Sequence, residues 1–413
     1  MAQQPWIIVG YVNVLPLIPH FAPGSVIVVD EPDVIRKCDV KNALAGAPML
    51  RELVEWEYQL PGAADEFFAT YPDLDPAVVA PLVEYATPFA ARLAERYGRP
   101  GAGAGAAQVM RDKALLRRVT RAAGVPNPAS REVTSAAQVR EFAAAHPGPL
   151  VLKPADRQAS VGTTVLRSLD GLEAAWAECT LPDEGSRVPD REREPRVLVE
   201  QYVHGSEYSV ELLVREGEVL FSNVTGKLLY PGPRPIELGH TVPAHGLEAP
   251  LAAELVARTG DVLRAVGFGS GMVHCEWIVS EGTPYLVECA GRFPGDGIPM
   301  LIEDAYRIDL AGAFYEVMRG ERPAPLPREA AGGAAVRFVE ARPGTVVSVE
   351  GAAEAADLPG VRSVSLHLEP GDTVRELRSS WDRAGSVSAS GATAAEALAR
   401  AEAAAHVIRV TTA

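Results

Sequence analysis

Two glutamates lie within strand-like segments of the chain and could hold a metal ion. Glu276 belongs to Val273–Trp277, and Glu288 ends Pro284–Glu288. The intervening turn at Ser280–Thr283 predicts an antiparallel hairpin, which would bring both carboxylates to one face at a similar height. Because buried carboxylates are costly without a cation and hard oxygen ligands select Mg²⁺, the pair predicts a Mg²⁺ site that Mn²⁺ could also fill.

Arg292 and His274 flank this pair along the sequence. Arg292 stands in the loop Ala290–Asp296, which could present its guanidinium to a carboxylate or a phosphate. His274 is expected to point to the opposite face of the strand from Glu276, and this orientation favours a structural role.

A lysine at the end of a strand could bind phosphate. Lys153 ends the apolar segment Leu150–Lys153, just before a turn that contains Ser160 and Gly162 and whose backbone N–H groups suit an anion. The alternative is a solvated lysine at a strand end, and the local sequence alone favours that interpretation. For Lys113, on the preceding helix, the local sequence gives even less indication of a functional role.

Two glutamates seven residues apart flank a glycine turn in the following segment. An apolar strand leads to Glu200, Tyr202 and Val203 come next, and Glu207 stands beyond the turn. One carboxylate could accept a hydrogen bond from an exocyclic amine and the other from ribose hydroxyls. The residues between them would offer an aromatic base a flat wall and main-chain hydrogen bonds. An ordinary β-hairpin with an acidic tip is the alternative.

The elements that must position these residues alternate between strands and helices. Short β-branched segments at Trp6–Gly10 and Ser25–Asp30 predict buried parallel strands. Helices are expected at Met49–Leu60 and Pro81–Tyr97. The alternation predicts an α/β fold.

Flexible and proline-rich segments divide the 413 residues into three predicted domains. The glycine–alanine run at 101–105 and the segment Pro323–Pro327 separate an α/β domain over 1–100, a second domain over 101–325 and a small α+β domain over 326–413. Residues 182–195 are rich in charge and proline, and they are expected to form an exposed loop without catalytic importance.

Composition narrows the classes of partner. Lys and Arg number 39 against 54 Asp and Glu, a net charge of −15 that argues against a nucleic-acid binder. The sequence shows no signal peptide and no apolar run long enough to cross a membrane, so a cytoplasmic protein without membrane partners is predicted. The four cysteines form no CxxC pair and are expected to be reduced.

Taken in order, these motifs resemble the ATP-grasp superfamily over about residues 80–320. The resemblance rests on Asp112-Lys113, Gly124–Pro126, Leu152–Pro154, Glu200–Glu207, Glu276, Glu288 and Arg292. Within the superfamily, the chain is similar to L-amino-acid ligases of the dipeptide-forming, alanine–anticapsin type. The segments that carry this closer similarity are Glu237–Pro243, Arg292–Asp296, Pro370–Asp372 and Gly391–Ala399.

The resemblance implies an ATP-grasp fold with an N-terminal Rossmann-like domain before it and a small C-terminal α+β domain. It also implies a nucleotide and metal site. The phosphates would be held by Lys113, Lys153, Ser160 and Gly162. Adenine would contact Glu200 and the backbone of Tyr202 and Val203, ribose would contact Glu207, and Mg²⁺ would be ligated by Glu276 and Glu288.

The resemblance further implies a substrate pocket and a reaction. Arg292 would stabilise an acyl phosphate, with Lys153 as the second catalytic residue, and the amino-acid pocket would contain Glu84, Glu237 and His240. For His240, a structural role is the alternative. The enzyme would join a carboxylate to an amine at the expense of ATP, in natural-product biosynthesis and as a homodimer, with the Asp156–Gly162 loop closing over the site.

One position departs from the superfamily pattern. Ala290 stands two residues after the second metal glutamate, where many members have asparagine. The number of metal ions is therefore open. Two other functions also stay open: a carboxylase-type enzyme that activates bicarbonate, and a nucleotide-binding module without catalysis.

Overall fold

The N-terminal part of the chain is a parallel sheet. The computed structural model describes residues 4–11, 21–181, 184–185, 188–191 and 194–413. The strands of this sheet are β1 Trp6–Val9, β2 Val26–Asp30, β3 Leu50–Glu55 and β4 Val78–Pro81, in the order β3-β2-β1-β4. The helices of this part are α1 Pro32–Lys37, α2 Val40–Ala43, α3 Ala63–Thr70 and α4 Thr87–Arg96. Because the strands are parallel, their carboxyl ends meet at one edge.

One predicted helix is wrong. The prediction at Met49–Leu60 covers strand β3, which pairs in parallel with β2. Apolar residues at Leu50, Leu53 and Val54 match helical spacing, but strand pairing decides the conformation of so short a segment. The buried parallel strands predicted nearby are confirmed.

Two helices, α5 Ala104–Arg111 and α6 Lys113–Ala122, lead into a four-stranded antiparallel sheet. Asp112 caps α6, its side chain accepting from the backbone N–H of Leu115 at 3.0 Å. The strands, in the order β5-β8-β6-β7, are β5 Ser130–Val133, β6 Leu150–Pro154, β7 Thr164–Leu166 and β8 Val197–Gln201. Helices α7 Ala136–Ala145 and α8 Leu172–Thr180 cover one face and bury its apolar side chains.

The largest sheet has eight antiparallel strands, in the order β13-β12-β9-β10-β11-β14-β18-β16. Its strands are β9 Ser206–Arg215, β10 Glu218–Leu229, β11 Glu237–Val242, β12 Gly271–Ser280, β13 Thr283–Ala290, β14 Gly333–Phe338, β16 Val361–Leu366 and β18 Gly385–Gly391. The predicted boundary at residue 326 therefore falls between strands of one sheet.

Helices pack against this sheet and complete the core. They are α9 Ala249–Val266, α10 Ile298–Tyr306, α11 Leu310–Met318 and α13 Ala394–Val407. The remaining elements are α12 Ala352–Ala356 and a three-stranded sheet of β15 Gly344–Glu350, β17 Thr373–Val374 and β19 Arg409–Thr412. Across the described residues, the structure contains no helix with the length and apolar character that a bilayer span requires.

The register of the large sheet aligns a row of side chains, polar except for Val336, across several strands. Ser363 pairs with Ser388, Val336 pairs with His240, and His240 pairs with Lys227. Val336 is itself the partner of Ser388 on β14 and β18. Since cross-strand partners point to the same face, this face carries a line of side chains from the sheet edge to its centre.

Candidate active site

A cavity of about 990 Å³ is lined by all three of the larger sheets. Thirteen of the fourteen residues predicted to form a site line it: Glu84, Lys113, Lys153, Ser160, Glu200, Tyr202, Val203, Glu207, Glu237, His240, Glu276, Glu288 and Arg292. The exception is Gly162, which packs against helix α8. A Cβ added at Gly162 would lie 3.2 Å from the Cα of Cys179 in that helix.

The two glutamates predicted to bind metal are direct partners across a hairpin. Glu276 on β12 pairs with Glu288 on β13, which confirms the predicted hairpin and the shared face. Lys227 donates to Glu276, and Lys113 Nζ lies 3.0 Å from Glu288 Oε2. Burial alone would raise the pKa of Glu276, but Lys227 and His274 lower it below its usual range. Both carboxylates are thus held as anions.

This pair has the donor chemistry that a hard divalent cation requires. In the described part of the chain, no three His, Cys, Asp or Glu side chains are grouped closely enough to hold a metal by themselves. Two facing carboxylates fit the way proteins hold Mg²⁺, in which one or two carboxylates are supplemented by phosphate oxygens and water. In this structure Lys227 and Lys113 supply the positive charge that balances the two carboxylates.

The orientation predicted for His274 is wrong. Its Nε2 lies 3.2 Å from Glu276 Oε1, so both side chains point to the same face of β12. The physical reason is the two-residue period of a strand, which returns residues two apart to one face. On its other side, His274 Nδ1 lies 2.9 Å from Oε1 of the buried Glu211. Burial would lower the pKa of His274, but these two carboxylates raise it to about 9.

Lys153 and Glu200 form a second buried ion pair in the cavity wall. Lys153 Nζ lies 2.7 Å from Glu200 Oε2, and Arg117 Nε donates to Glu200 Oε1 at 2.7 Å. Lys153 is only 6% exposed, which excludes the alternative of a solvated lysine. Burial alone would raise the pKa of Glu200, but Arg117 and Lys153 lower it to about 2. Burial lowers the pKa of Lys153 itself.

The segment that follows strand β8 supplies a short stretch of backbone, including Tyr202 and Val203, to the cavity. The backbone N–H of Tyr202 donates to the carbonyl of Pro149 at 3.0 Å, so this N–H is already used. Glu207, at the start of β9, faces the same cavity. Burial raises the pKa of Glu207 to about 7, with Glu276 and Glu237 adding to the shift against the opposing effect of Lys227.

The loop predicted to close over the site contributes several residues to the cavity wall. Ser160 lies in the left-handed region, with a φ of 57°, and its Oγ donates to the carbonyl of Pro235 at 2.8 Å. The carbonyl of Ala159 accepts from the backbone N–H of Ser380 at 3.1 Å. Lys113 Nζ donates to the carbonyl of Arg157 at 2.6 Å, and because the same Nζ contacts Glu288, it joins this loop to the carboxylate pair. Its closure during a reaction stays a prediction.

Glu84 and Arg292 meet at the end of the cavity nearest the N-terminal sheet. Arg292 Nε donates to Glu84 Oε2 at 2.5 Å, and Arg292 Nη1 donates to the carbonyl of Phe293 at 2.7 Å. Glu84 begins the short 3₁₀ turn Glu84–Ala86 and is 7% exposed. The pair therefore offers both an anion and a cation to a zwitterionic molecule.

Glu237 and His240 stand between this pair and the C-terminal strands. His240 Nε2 lies 2.9 Å from Asp296 Oδ2, and Arg383 Nη1 donates to the same oxygen at 2.9 Å. Ser380 Oγ donates to Glu237 Oε2 at 3.0 Å. The C-terminal region is thereby attached directly to the cavity wall.

The exposed loop predicted at 182–195 is confirmed at Gly185, Asp190, Glu194 and Pro195, but it is wrong at Glu184, Val188 and Pro189, which are buried. Residues 182–183, 186–187 and 192–193 lie outside the described ranges. Glu184 and Val188 are buried, because the N-terminal part covers them. The hydroxyl of Tyr85, a cavity-lining residue, donates to Glu184.

Comparisons with known proteins agree with this geometry. The ATP-grasp domain family matches residues 146–300, and the family described as L-amino acid ligase C-terminal domain 2 matches residues 337–413. A D-alanine–D-alanine ligase from Gloeobacter violaceus is 31% identical over 240 residues, covering 52% of this chain and 69% of the relative. The chain belongs to the ATP-grasp family of carboxylate–amine ligases.

Two further similarities lie within this ATP-grasp family. An alanine–anticapsin ligase from Bacillus subtilis is 24% identical over 256 residues, covering 58% of this chain and 53% of the relative. The crystal structure of an L-amino acid ligase from Bacillus licheniformis superposes with a TM-score of 0.80 at 19% identity, covering 100% of this chain and 99% of the other, which shows a shared fold. The chain spans between 53% and 69% of the length of these curated relatives.

Sequence reasoning missed several cavity residues of this ATP-grasp chain. Arg117 follows Lys113 by four residues on α6, a spacing that puts both on one helix face and could have indicated it. Lys227 belongs to an alternating polar pattern with Asn223 and Thr225, which marks one face of β10. Arg383 has no comparable local signal, because only the tertiary fold brings it to Asp296.

Proposed function

We propose that this protein uses ATP to join the carboxylate of an amino acid to the amine of a second amino acid or other amine. The observation that carries the proposal is the opposed pair Glu276 and Glu288, in the same cavity as the ion pair of Glu84 and Arg292. The first pair suits a metal-bound polyphosphate, and the second suits the charged groups of an amino acid.

The proposed reaction has two steps. In the first, a carboxylate oxygen of the substrate attacks the γ-phosphorus of ATP, the bond to the β-phosphate oxygen breaks, and an acyl phosphate and ADP form. In the second, the amine attacks the acyl carbon, phosphate leaves and the nitrogen loses a proton, which gives an amide. ATP supplies the activation, so no side-chain nucleophile is needed.

The nucleotide would lie between the four-stranded antiparallel sheet, which contains β6 and β8, and the eight-stranded sheet. Lys153 and Lys113 would contact the phosphates, while Glu200 would face adenine and Glu207 ribose. The Tyr202 N–H already bonds to Pro149, so the main-chain contacts to the base would come from the Tyr202 carbonyl and from Val203. Mg²⁺ held by Glu276 and Glu288 would neutralise charge on the transferring phosphoryl group.

The substrates would lie between Glu84 and the C-terminal strands. Arg292 would direct its guanidinium at the carboxylate being phosphorylated, and Glu84 would bind an ammonium group. Glu237 and His240 would form the next part of the wall, with His240 fixed by Asp296. A homodimer in the cytoplasm and a setting in natural-product biosynthesis stay predictions.

A phosphate-release screen tests this function. The protein would be incubated with Mg²⁺ and ATP against all pairs of the common amino acids, and then with each amino acid and simple amines. We expect substrate-dependent ADP and phosphate, with an amide product visible by mass spectrometry. Release with bicarbonate instead of amino acids would favour the carboxylase alternative. ATP binding without release under any condition would favour a non-catalytic module.

A further inference from the structure

A buried polar network contacts Glu276, the first of the paired glutamates. His274 is 6% exposed and contacts a carboxylate through each ring nitrogen. Nε2 lies 3.2 Å from Glu276 Oε1, and Nδ1 lies 2.9 Å from Glu211 Oε1. The imidazole therefore links a carboxylate in the cavity wall to one inside the sheet.

Glu211 is the fixed end of this network. It is completely buried and accepts hydrogen bonds from Ser209 Oγ at 2.8 Å, Asn223 Nδ2 at 2.7 Å and Thr225 Oγ1 at 2.7 Å, in addition to the histidine. Four donors match the lone-pair capacity of one carboxylate. Such a saturated carboxylate has one orientation, and it imposes one orientation on the ring of His274.

On the neighbouring strand, the direct cross-strand partner of His274 is Ala290, which carries only a methyl group. The two contacts that reach Glu276 from His274 and Lys227 both end on Oε1. Oε2 of the same carboxylate is therefore the oxygen available to a cation.

We propose that His274, held by Glu211, is a positioning residue that orients Glu276 for the metal ion of the metal–nucleotide complex. The inference rests on the proposed function, because it takes Glu276 as a metal ligand. A carboxylate that is already oriented loses less conformational freedom when a metal binds. Substitution of a residue that hydrogen-bonds to a metal ligand, without itself contacting the metal, commonly lowers metal affinity by about 10- to 100-fold.

The test measures metal binding directly rather than turnover alone. Mn²⁺ would be titrated into the protein–ADP complex and followed by electron paramagnetic resonance, with ADP affinity without metal measured by calorimetry. For His274→Gln, which cannot bridge both carboxylates, we expect Mn²⁺ to bind about 10- to 100-fold more weakly in the ADP complex. ADP affinity without metal should not change. Excess Mg²⁺ should restore most of kcat, while the KM for Mg²⁺ rises.

Two further variants keep the test decisive. Glu211→Gln preserves shape but weakens the hold on the ring, so it should lower Mn²⁺ affinity in the same direction, and it carries the test if His274→Gln does not fold. His146→Gln, at the end of α7 where the ring packs on Phe142, is the matched control and should bind Mn²⁺ normally.

The outcomes separate this inference from the function on which it rests. Unchanged Mn²⁺ affinity in folded His274→Gln or Glu211→Gln would overturn the positioning role. Absence of any Mn²⁺ binding to the ADP complex of the unsubstituted protein would overturn the proposed function instead, because the metal site itself would then be missing.

Discussion

Glu276 and Glu288 are direct partners across the β12–β13 hairpin, and each is paired with a lysine from a different part of the fold. Lys227 reaches Glu276 from β10 of the same sheet, whereas Lys113 reaches Glu288 from the first turn of α6. The two carboxylates are thus kept charged before any metal arrives. A metal–nucleotide complex would enter a site where four charges already balance.

The first prediction is that Glu288→Gln removes turnover while the fold remains. The amide keeps the size of the carboxylate but lacks its charge, so it would bind a hard cation poorly. We expect phosphate release to fall by at least roughly 100-fold, the scale of losing one preorganised electrostatic group in an active site. Steady-state phosphate release, with a melting curve to establish folding, measures this.

Glu281→Gln is the matched control for this prediction. Glu281 is exposed at the turn of the same hairpin, away from the carboxylate pair. Its substitution should leave turnover unchanged. Near-normal phosphate release by folded Glu288→Gln would refute the assignment of this carboxylate to the metal.

A second prediction concerns the buried pair of Lys153 and Glu200, which the proposed function places beside the nucleotide. Lys153→Ala should weaken ATP binding by about 1.5–3 kcal/mol, the scale of a hydrogen bond to a charged group. It should also lower the free energy of unfolding, because Glu200 then remains buried with Arg117 as its charged partner. Glu207→Ala should weaken ATP binding less, since ribose hydroxyls are neutral partners. Calorimetry and urea unfolding measure the two effects separately.

The exposed Lys41 provides the control for this charge removal. Lys41 is on α2 and pairs with Glu55 at the surface, so Lys41→Ala should change neither ATP affinity nor stability appreciably. ATP affinities equal to that of the unsubstituted protein in both Lys153→Ala and Glu207→Ala would show that the nucleotide binds elsewhere.

The hairpin of Glu276 and Glu288 and several residues that line the cavity could be predicted because their signals are local. The hairpin around Glu276 and Glu288 follows from two apolar segments and a turn, and its register brings the carboxylates together as expected. The position of Lys153 near the end of an apolar strand is predictable for a similar reason, although the local sequence alone favours a solvated lysine and only the resemblance to the ATP-grasp superfamily implies a phosphate contact. Such features depend on residues close in sequence.

Long-range pairing could not be predicted in the same way. The segment at Leu50–Glu55 has apolar spacing that suits a helix equally well, and its pairing with β2 decides between the two. The contact between Arg383 and Asp296 joins residues 87 positions apart, and no local pattern reports it. The error at His274 is of another kind, because the two-residue period of the strand was sufficient to place it beside Glu276.

A third prediction concerns the pH dependence of stability. Burial raises the pKa of Glu207 from 4.5 to about 7 in the folded protein. Between these values the unfolded chain has lost this proton while the folded protein keeps it, so the contribution of Glu207 to stability falls as pH rises from about 4.5 to 7. At about 1.4 kcal/mol per pKa unit, the loss is at most about 3.5 kcal/mol, and less because solvent reaches part of the residue.

Glu207→Gln isolates this contribution, since an amide does not titrate. The variant should be more stable than the unsubstituted protein above pH 7 and nearly equal to it below pH 4.5. Urea unfolding of the nucleotide-free proteins across this range measures the difference. Asp30, whose pKa burial raises to about 6, contributes to both proteins and cancels. Parallel stability curves for the two proteins would contradict the assigned shift.

The last prediction concerns Arg292, the residue that would distinguish ligation from nucleotide binding. Its Nε contacts Glu84, which the proposed function assigns to the substrate, whereas Lys153 contacts Glu200. The charge it meets should grow as the acyl phosphate and then the tetrahedral oxyanion form, so its contribution should be greater in the transition state than in the ground state. Lysine keeps the charge but loses the planar, two-pronged donor.

Arg292→Lys should therefore bind ATP with normal affinity but lose about 100-fold or more in turnover, the scale of removing one oxyanion donor. Steady-state kinetics beside an ATP titration measure the two quantities. Arg258→Lys makes the same exchange on the exposed face of α9 and should change neither. If ATP affinity and turnover fall together in Arg292→Lys, Arg292 belongs to the nucleotide site, and the acyl phosphate must form elsewhere in the cavity.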